Sequence, residues 1–298
     1  DRPIWVVASY FLAWPWRRSA MAPVEQKIYL AQIPANGADP MVNLSGGPPA
    51  VHEDPRGFEV IREFYGFLDA HRSYYEVDES AANVALVYSL ETLFFYGQDA
   101  PEARYVEDIR GIEQALHEAH IPFDIISTRT LDEETLSRYR VLVLPTLACL
   151  SETESEAIHR FAESGGGVVA TFECGRYTPM GERRPTGFLD DILGVRGKGV
   201  PRSSMASDES GYKQVYMDIT SDHPILEGVA FTSVLPMGGD YRPVEAADAE
   251  IPLTLSAPFV VFPEGFSYPK TEPLGDPLMV AREPESGGRT VYFAGQVG

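Results

Sequence analysis

The stretch VLVLPTLACLSETESEAIHRFAESGGGVVATFECG, from Val141 to Gly175, narrows the fold more than any other part of the chain. Two apolar, β-branched runs flank one helix-length amphipathic segment. Ser151 and Glu154 have the spacing of a capping box, which starts the helix, and Gly165–Gly167 stops it near Ser164. Strands joined through a helix cannot form a hairpin, so they lie parallel through a right-handed crossover. The same alternation begins upstream with VALVYS (Val84–Ser89) and a helix over Arg104–His120, with Val106, Ile109, Ile112 and Leu116 facing inward. It continues through PFDIIS (Pro122–Ser127) and a short helix, Asp132–Tyr139, capped by Asp132. LETLFFYGQDAPEA reads as a long aromatic loop. The expected fold class is α/β, with a doubly wound parallel sheet.

A polar, acidic linker, EVDESAAN (Glu76–Asn83), places a domain boundary so that residues 1–79 and 80–298 are separate. In the first part, Ile4–Leu12 reads as a fully buried strand, Val24–Gly37 as a helix with Ile28, Leu30, Ala31 and Ile33 on its apolar face, and Pro40–Ser45 as a second strand. A loop precedes a long helix, Phe58–Tyr75, with Val60, Phe64, Phe67, Leu68 and His71 on one side. Two βα units are too few to close a core, so this part reads as the tail of a larger parallel array. The chain opens at Asp1 directly on an expected strand and ends on one, as if both ends lay within something longer. From about residue 196 a Pro/Gly-rich β extension follows, with runs at Tyr212–Ile219, Pro252–Phe262, Pro277–Glu283 and Arg289–Gly295.

With 298 residues, 44% of them apolar, the chain can build a sizeable core. A formal charge of −20 repels phosphate backbones and anionic lipid, which argues against nucleic-acid and membrane partners. No apolar run reaches the ~18–20 residues of a membrane span, and Ile4–Trp14 lacks the features of a signal peptide. A soluble protein is expected, its compartment open with the cytoplasm favoured. Gly165–Gly167 follows a helix and precedes a strand, the reverse of a phosphate-cradling loop. The six histidines show no metal-ligand spacing, so neither a metal nor a cofactor is expected.

Neither Cys149 nor Cys174 fits a nucleophile. Cys174 follows a strand, but Phe172 and Glu173 stand where a nucleophile elbow needs small residues, and no helix starts promptly after it. The adjacent Glu173 carboxylate would raise the thiol pKa, and His223 is the only histidine downstream. Cys149 reads as a small buried hydrophobe. A disulfide between the two is possible but not required.

The runs VALVYS, YVEDIRGIEQALHEAHIPFDIIS and YRVLVLPTLACLSETESEAIHRFAESGGGVVAT, with the later SDHPILEGV and GGRTVYFAGQVG, resemble the class I glutamine-amidotransferase-like fold without its catalytic triad. More narrowly, they resemble the trimerisation domain that follows the barrel of family-42 β-galactosidases. The segment PIWVVASYFLAWPWRRSAMAPVEQKIYLAQIPANGADPMVNLSGG is similar to the closing units of such a (β/α)8 barrel. The resemblance implies a C-terminal portion of a glycoside hydrolase acting on β-galactosides or related oligosaccharides. Residues 1–79 would close the barrel, and residues 80–298 would be a non-catalytic domain for assembly as a homo-oligomer, a trimer being possible. Barrel glycosidases use two carboxylates, and none in the first segment is assigned to that pair; the catalytic pair would lie outside this chain.

Barrel active sites sit at strand carboxyl ends. That selects Tyr10, Trp14, Trp16, Arg17 and Asn43 as sugar-binding candidates, aromatic faces stacking on C–H surfaces and polar groups reaching hydroxyls. Packing of Trp14 and Trp16 against a neighbouring domain or subunit is the alternative. Glu25 reads as a first-turn helix acid. In the second domain the strand carboxyl edge presents Glu91, Phe94, Phe95, Tyr96, Glu173, Arg176 and Tyr177 as a cleft or interface. Phe94–Tyr96 suit an interface, and Glu173 with Arg176 could equally form a structural ion pair. Two other functions stay open: a non-enzymatic sugar-binding or assembly module, and an active cysteine amidotransferase.

Overall fold

The computed structural model describes residues 4–44, 53–75, 80–208, 211–229, 231–270, 274–285 and 287–298. The expected loop 46–52 with His52, the end of the second strand at Ser45 and the linker residues 76–79 lie outside the described residues. Contacts divide the chain into two compact units, Asp1–Ser80 and Ala81–Gly298.

In the first unit, β1 (Trp5–Ser9) and β2 (Asp39–Asn43) run parallel, with Trp5 opposite Asp39 and Ser9 opposite Asn43. The crossover is α1 (Pro23–Ala35), and α2 (Arg56–Ala70) follows β2. Pro23 occupies the first helical turn, where its missing N–H costs nothing. Leu30 from α1 and Val60 and Phe64 from α2 form a small core against Ala8 and Val42. Three sequence expectations change here. The β1 strand is not buried: Trp5 is 66% exposed and Val7 50%, because among the described residues β2 is its only strand neighbour and the two helices cover one face. Along α1, Gln26 rather than Ile28 turns inward with Leu30 and Ile33, leaving Ile28 exposed. The long helix ends at Ala70, with His71 as its cap, and Phe67 and His71 stay exposed on its outer side.

The second unit is built on one nine-stranded mixed sheet. Its parallel part comprises Thr290–Phe293, β6 (Gly167–Thr171), β5 (Val141–Leu144), β3 (Val84–Tyr88) and β4 (Phe123–Ser127), in that spatial order. Four antiparallel strands extend it beyond Thr290–Phe293, namely Pro277–Arg282, Glu250–Leu255, Tyr216–Ile219 and Val234–Pro236. The Pro/Gly-rich third of the sequence thus prolongs the sheet, and its last strand joins the parallel set. The expected run Tyr212–Ile219 divides into Gly211–Gln214 and Tyr216–Ile219.

Period-2 alternation explains why β3 is buried on both sides. Val84 and Leu86 pack with Tyr105 and Ile109 on one face, while Ala85 and Val87 join Leu142, Leu144, Ile158 and Phe161 on the other. The helix over Glu152–Glu163 begins with the Ser151–Glu154 capping box, each partner bonding the other's backbone N–H. It ends at Gly165, whose φ of 102° an L side chain rarely adopts. The expected aromatic loop is instead mostly helical. Thr92–Tyr96 forms one wide turn, and Glu102–Val106 another that runs straight into Glu107–Glu118. Apolar residues read without periodicity there, but the Ser89 hydroxyl accepts the Thr92 N–H and starts the turn.

Candidate functional sites

In the first unit the carboxyl ends of β1 and β2 converge on Asp54. Its carboxylate takes the Ala20 N–H at 3.0 Å and a two-pronged contact from Arg56 at 2.8 and 2.6 Å. The Arg56 guanidinium holds this carboxyl far below the usual range. Asp54 is therefore a clamp tying the loop after β1 to the start of α2. Tyr10 belongs to the same clamp: it is fully buried, stacks on Phe58 at 4.8 Å, and its hydroxyl donates to the Asp54 carbonyl. That burial removes it from direct sugar contact. Asn43 is half-buried, and its carbonyl accepts the Tyr10 N–H at 3.1 Å. Trp14, Trp16 and Arg17 stay exposed on a tight turn, with the Arg17 guanidinium 5.5 Å from the Trp14 ring centre. An apolar groove of about 710 Å³ runs beside β1, lined by Val7, Phe11, Leu12, Trp14, Tyr29 and Ile33 among others.

In the second unit, the carboxyl ends of β5 and β6 lead into a buried charge cluster. Glu173 is fully buried and pairs with Arg242, 69 residues away. Arg176 is 2.7 Å from Asp190. The pairing expected between Glu173 and Arg176 is replaced by these two, which neutralise the cluster. Burial lowers the Arg176 pKa and raises that of Asp190. A side chain at Gly197 would crowd the guanidinium ends of Arg242 and Arg176, so both would have to shift to admit it. The Arg242 and Asp190 partners lie in segments whose sequence gives no local hint of them.

Two strained residues mark the same edge. Thr146 and Phe172, just beyond β5 and β6, adopt φ of 40° and 48°. Thr146 is held by its N–H to the Thr171 hydroxyl at 2.9 Å and by its own hydroxyl on Asp108. Asp108 also accepts the Val297 and Gly298 N–H groups at 3.0 and 2.9 Å, anchoring the chain end.

Both cysteines are free and buried. Burial pushes the Cys149 thiol up to about 12, and raises Cys174 further in the same direction. The groups acting on Cys174 are its burial, the Leu147 backbone, Arg176 and Asp190; no imidazole is among them. This geometry gives a thiolate no support. Among the described residues, no cluster of His, Cys, Asp or Glu could hold a metal ion, and no helix is long and apolar enough to cross a membrane.

The remaining candidates divide by exposure. Phe94 is 64% exposed and Phe95 lies partly open beside it. Tyr96 turns inward, its ring 5.0 Å from that of Tyr177. Glu91 is half-buried and paired with Arg129 at 2.9 Å. Tyr96 and Tyr177 line a cleft of about 570 Å³ with Gln98, Arg104, Asp240 and Gln296.

Comparison with known proteins agrees with this geometry. Residues 82–213 match the family described as the β-galactosidase trimerisation domain. The β-galactosidase BgaH of Haloferax lucentense is 24% identical over 258 residues, covering 83% of this chain and 38% of that protein. The crystal structure of β-galactosidase from Bacillus circulans sp. alkalophilus superposes with a TM-score of 0.73 at 19% identity, covering 99% of this chain and 43% of that one. The GH42 β-galactosidase Gan42B of G. stearothermophilus gives a TM-score of 0.68 at 17% identity, over 93% of this chain and 38% of its own. This chain thus spans about two fifths of the length of the relatives it matches. Residues 82–213 match the β-galactosidase trimerisation-domain family, and the chain is similar in fold along most of its length to β-galactosidase structures, one of them a GH42 enzyme.

Proposed function

We propose that the chain is the C-terminal portion of a glycoside hydrolase acting on β-galactosides or related oligosaccharides. In this reading residues 1–79 supply closing βα units of a (β/α)8 barrel. Residues 80–298 form a non-catalytic, amidotransferase-like domain that assembles a homo-oligomer, a trimer on the family's example, and walls the sugar site. The carrying observation is the parallel pair β1–β2, whose apolar residues lie open on the face that α1 and α2 leave uncovered. A parallel strand with one neighbour is an edge, and parallel sheets of this kind are buried on both faces in barrels. Further strands laid beside the pair would cover the groove along Val7, Phe11 and Leu12.

The sugar-contacting residues in this reading are Trp14, Trp16, Arg17 and Asn43, with Tyr10 holding the loop from beneath. The exposed Phe94 and Phe95 suit the contact between copies, since adjacent open aromatics favour burial in an interface. The two catalytic carboxylates are placed on strands outside this chain; Asp54, in the loop before α2, is committed to Arg56 and Ala20. Hydrolysis of an aryl β-galactoside decides the matter. This chain alone should show none, and a longer chain that adds the proposed upstream barrel units should be active. Turnover by the chain alone would show that the catalytic pair has been misplaced. Inactivity of the longer protein on every aryl glycoside would favour the sugar-binding or assembly module.

A further inference from the structure

We propose that the cleft at the carboxyl edge of the parallel strands in the second unit binds a neutral, polyhydroxylated molecule of monosaccharide size. The proposal does not rest on the barrel reading, and it uses none of the residues beside β1.

Three independent observations meet at this cleft. The first is position and size. Open α/β sheets bind ligands outside the carboxyl ends of their strands, and about 570 Å³ is within the range of small-molecule pockets. The second is backbone strain. Phe172 lines the cleft with φ of 48°, and Thr146 on the adjacent strand has φ of 40°. A β-branched residue in that region is a marked outlier, and such strain concentrates at ligand sites. The third is an unsatisfied buried group. Glu173 follows Phe172 and has no exposed surface; Arg242 holds its Oε1, while its Oε2 lacks a well-formed hydrogen bond although the Tyr177 phenol of the cleft is within reach of the carboxylate. Its charge reaches both phenols of the cleft, Tyr96 and Tyr177; burial and this carboxylate push Tyr177 up to about 12. A buried acceptor without a well-formed hydrogen bond is costly. A bound hydroxyl that orders the Tyr177 phenol, donating to it while it donates to Glu173, would satisfy the group.

The lining selects the ligand class. Asp240 at the wall disfavours an anion, and Arg104 at the same wall disfavours a cation. The Gln98 and Gln296 amides offer both donors and acceptors, which suits hydroxyls that are both. The rings of Tyr96 and Tyr177 offer apolar faces to sugar C–H groups.

Saturation-transfer NMR on the full chain tests the assignment, with galactose, glucose and myo-inositol as neutral probes and acetate and tetramethylammonium as charged ones. At least one neutral probe should bind at millimolar concentration, and the charged probes should not. Ala103→Trp, at an exposed position on the cleft rim, should weaken binding by tenfold or more. Tyr177→Phe should weaken it about five- to tenfold, and serves alone if Ala103→Trp unfolds. Ile125→Ala, at an exposed position that does not line the cleft, should leave binding unchanged. Silence from all neutral probes, binding of a charged probe only, or a signal lost in Ile125→Ala but kept in both cleft variants would overturn the proposal.

Discussion

The strands WVVAS (Trp5–Ser9) and VALVY (Val84–Tyr88) have nearly the same composition and opposite surroundings. Val87 and Leu86 have no exposed surface, while Trp5 is 66% exposed and Val7 50%. The difference is in their neighbours. Val84–Tyr88 has a parallel strand on each side and apolar side chains packed on each face; among the described residues Trp5–Ser9 has one strand partner and a single covered face. An apolar, β-branched run states what a strand requires, and the rest of the fold decides whether the requirement is met. All three tryptophans, Trp5, Trp14 and Trp16, fall in the first unit, so their fluorescence follows it separately. Far-UV circular dichroism is dominated by the larger second unit.

The largest effect should come from the second unit's buried charges. Glu173→Ala would leave Arg242 buried without its partner and cost about 3–5 kcal/mol. Urea unfolding followed by circular dichroism should shift strongly, and tryptophan fluorescence should not. A loss below about 1 kcal/mol would mean that water reaches the cluster. Next, Leu86→Ala should cost about 2–5 kcal/mol by the same measurement. Val7→Ala should change the fluorescence-detected transition by no more than about 0.5 kcal/mol. Equal costs at the two positions would break the comparison outright. Ser151→Ala removes half of the capping box and should cost about 1 kcal/mol.

A modest further effect is a pH dependence. His159 lies 2.8 Å from the Ser155 carbonyl and 3.0 Å from Asp191, one acceptor at each ring nitrogen. Although burial opposes it, the carbonyl, Asp191 and nearby Glu163 raise its pKa above the usual 6.5. A raised histidine stabilises the fold fully below its unfolded pKa, and that contribution fades as pH climbs through the folded value. Stability of the second unit should therefore fall slightly from pH 6 to pH 8, by no more than about 1 kcal/mol given the exposed Asp191. His159→Gln should flatten that slope; an unchanged slope would assign it to another group.

What the sequence made legible was local. The Ser151–Glu154 box, the Asp132 cap and the alternation around Val84–Tyr88 are set by residues a few positions apart, and each appears in the structure as read. The inertness of the cysteines was readable for the same reason, since Phe172 and Glu173 adjoin Cys174. Long-range choices were not readable. Glu173 finds Arg242 rather than Arg176, Gln26 replaces Ile28 on the inner face of α1, and the aromatic run after Ser89 winds into helical turns. For Glu173 the deciding partner lies 69 residues away, beyond any local sequence pattern. Tyr10 shows the same limit within the first site: its strand-end position marked it for ligand contact, and Phe58 and the Asp54 carbonyl claimed it instead.

Hydrogen exchange at the amides of Trp5–Ser9 and Val84–Tyr88 tests the central claim most directly. It should be measured in this chain and again in a longer chain that carries the barrel units proposed above. The account predicts slow exchange at Val84–Tyr88 in both, and exchange at Trp5–Ser9 that is fast here and slow in the longer protein. Equal protection of both strands in this chain alone, or no added protection in the longer one, would contradict it.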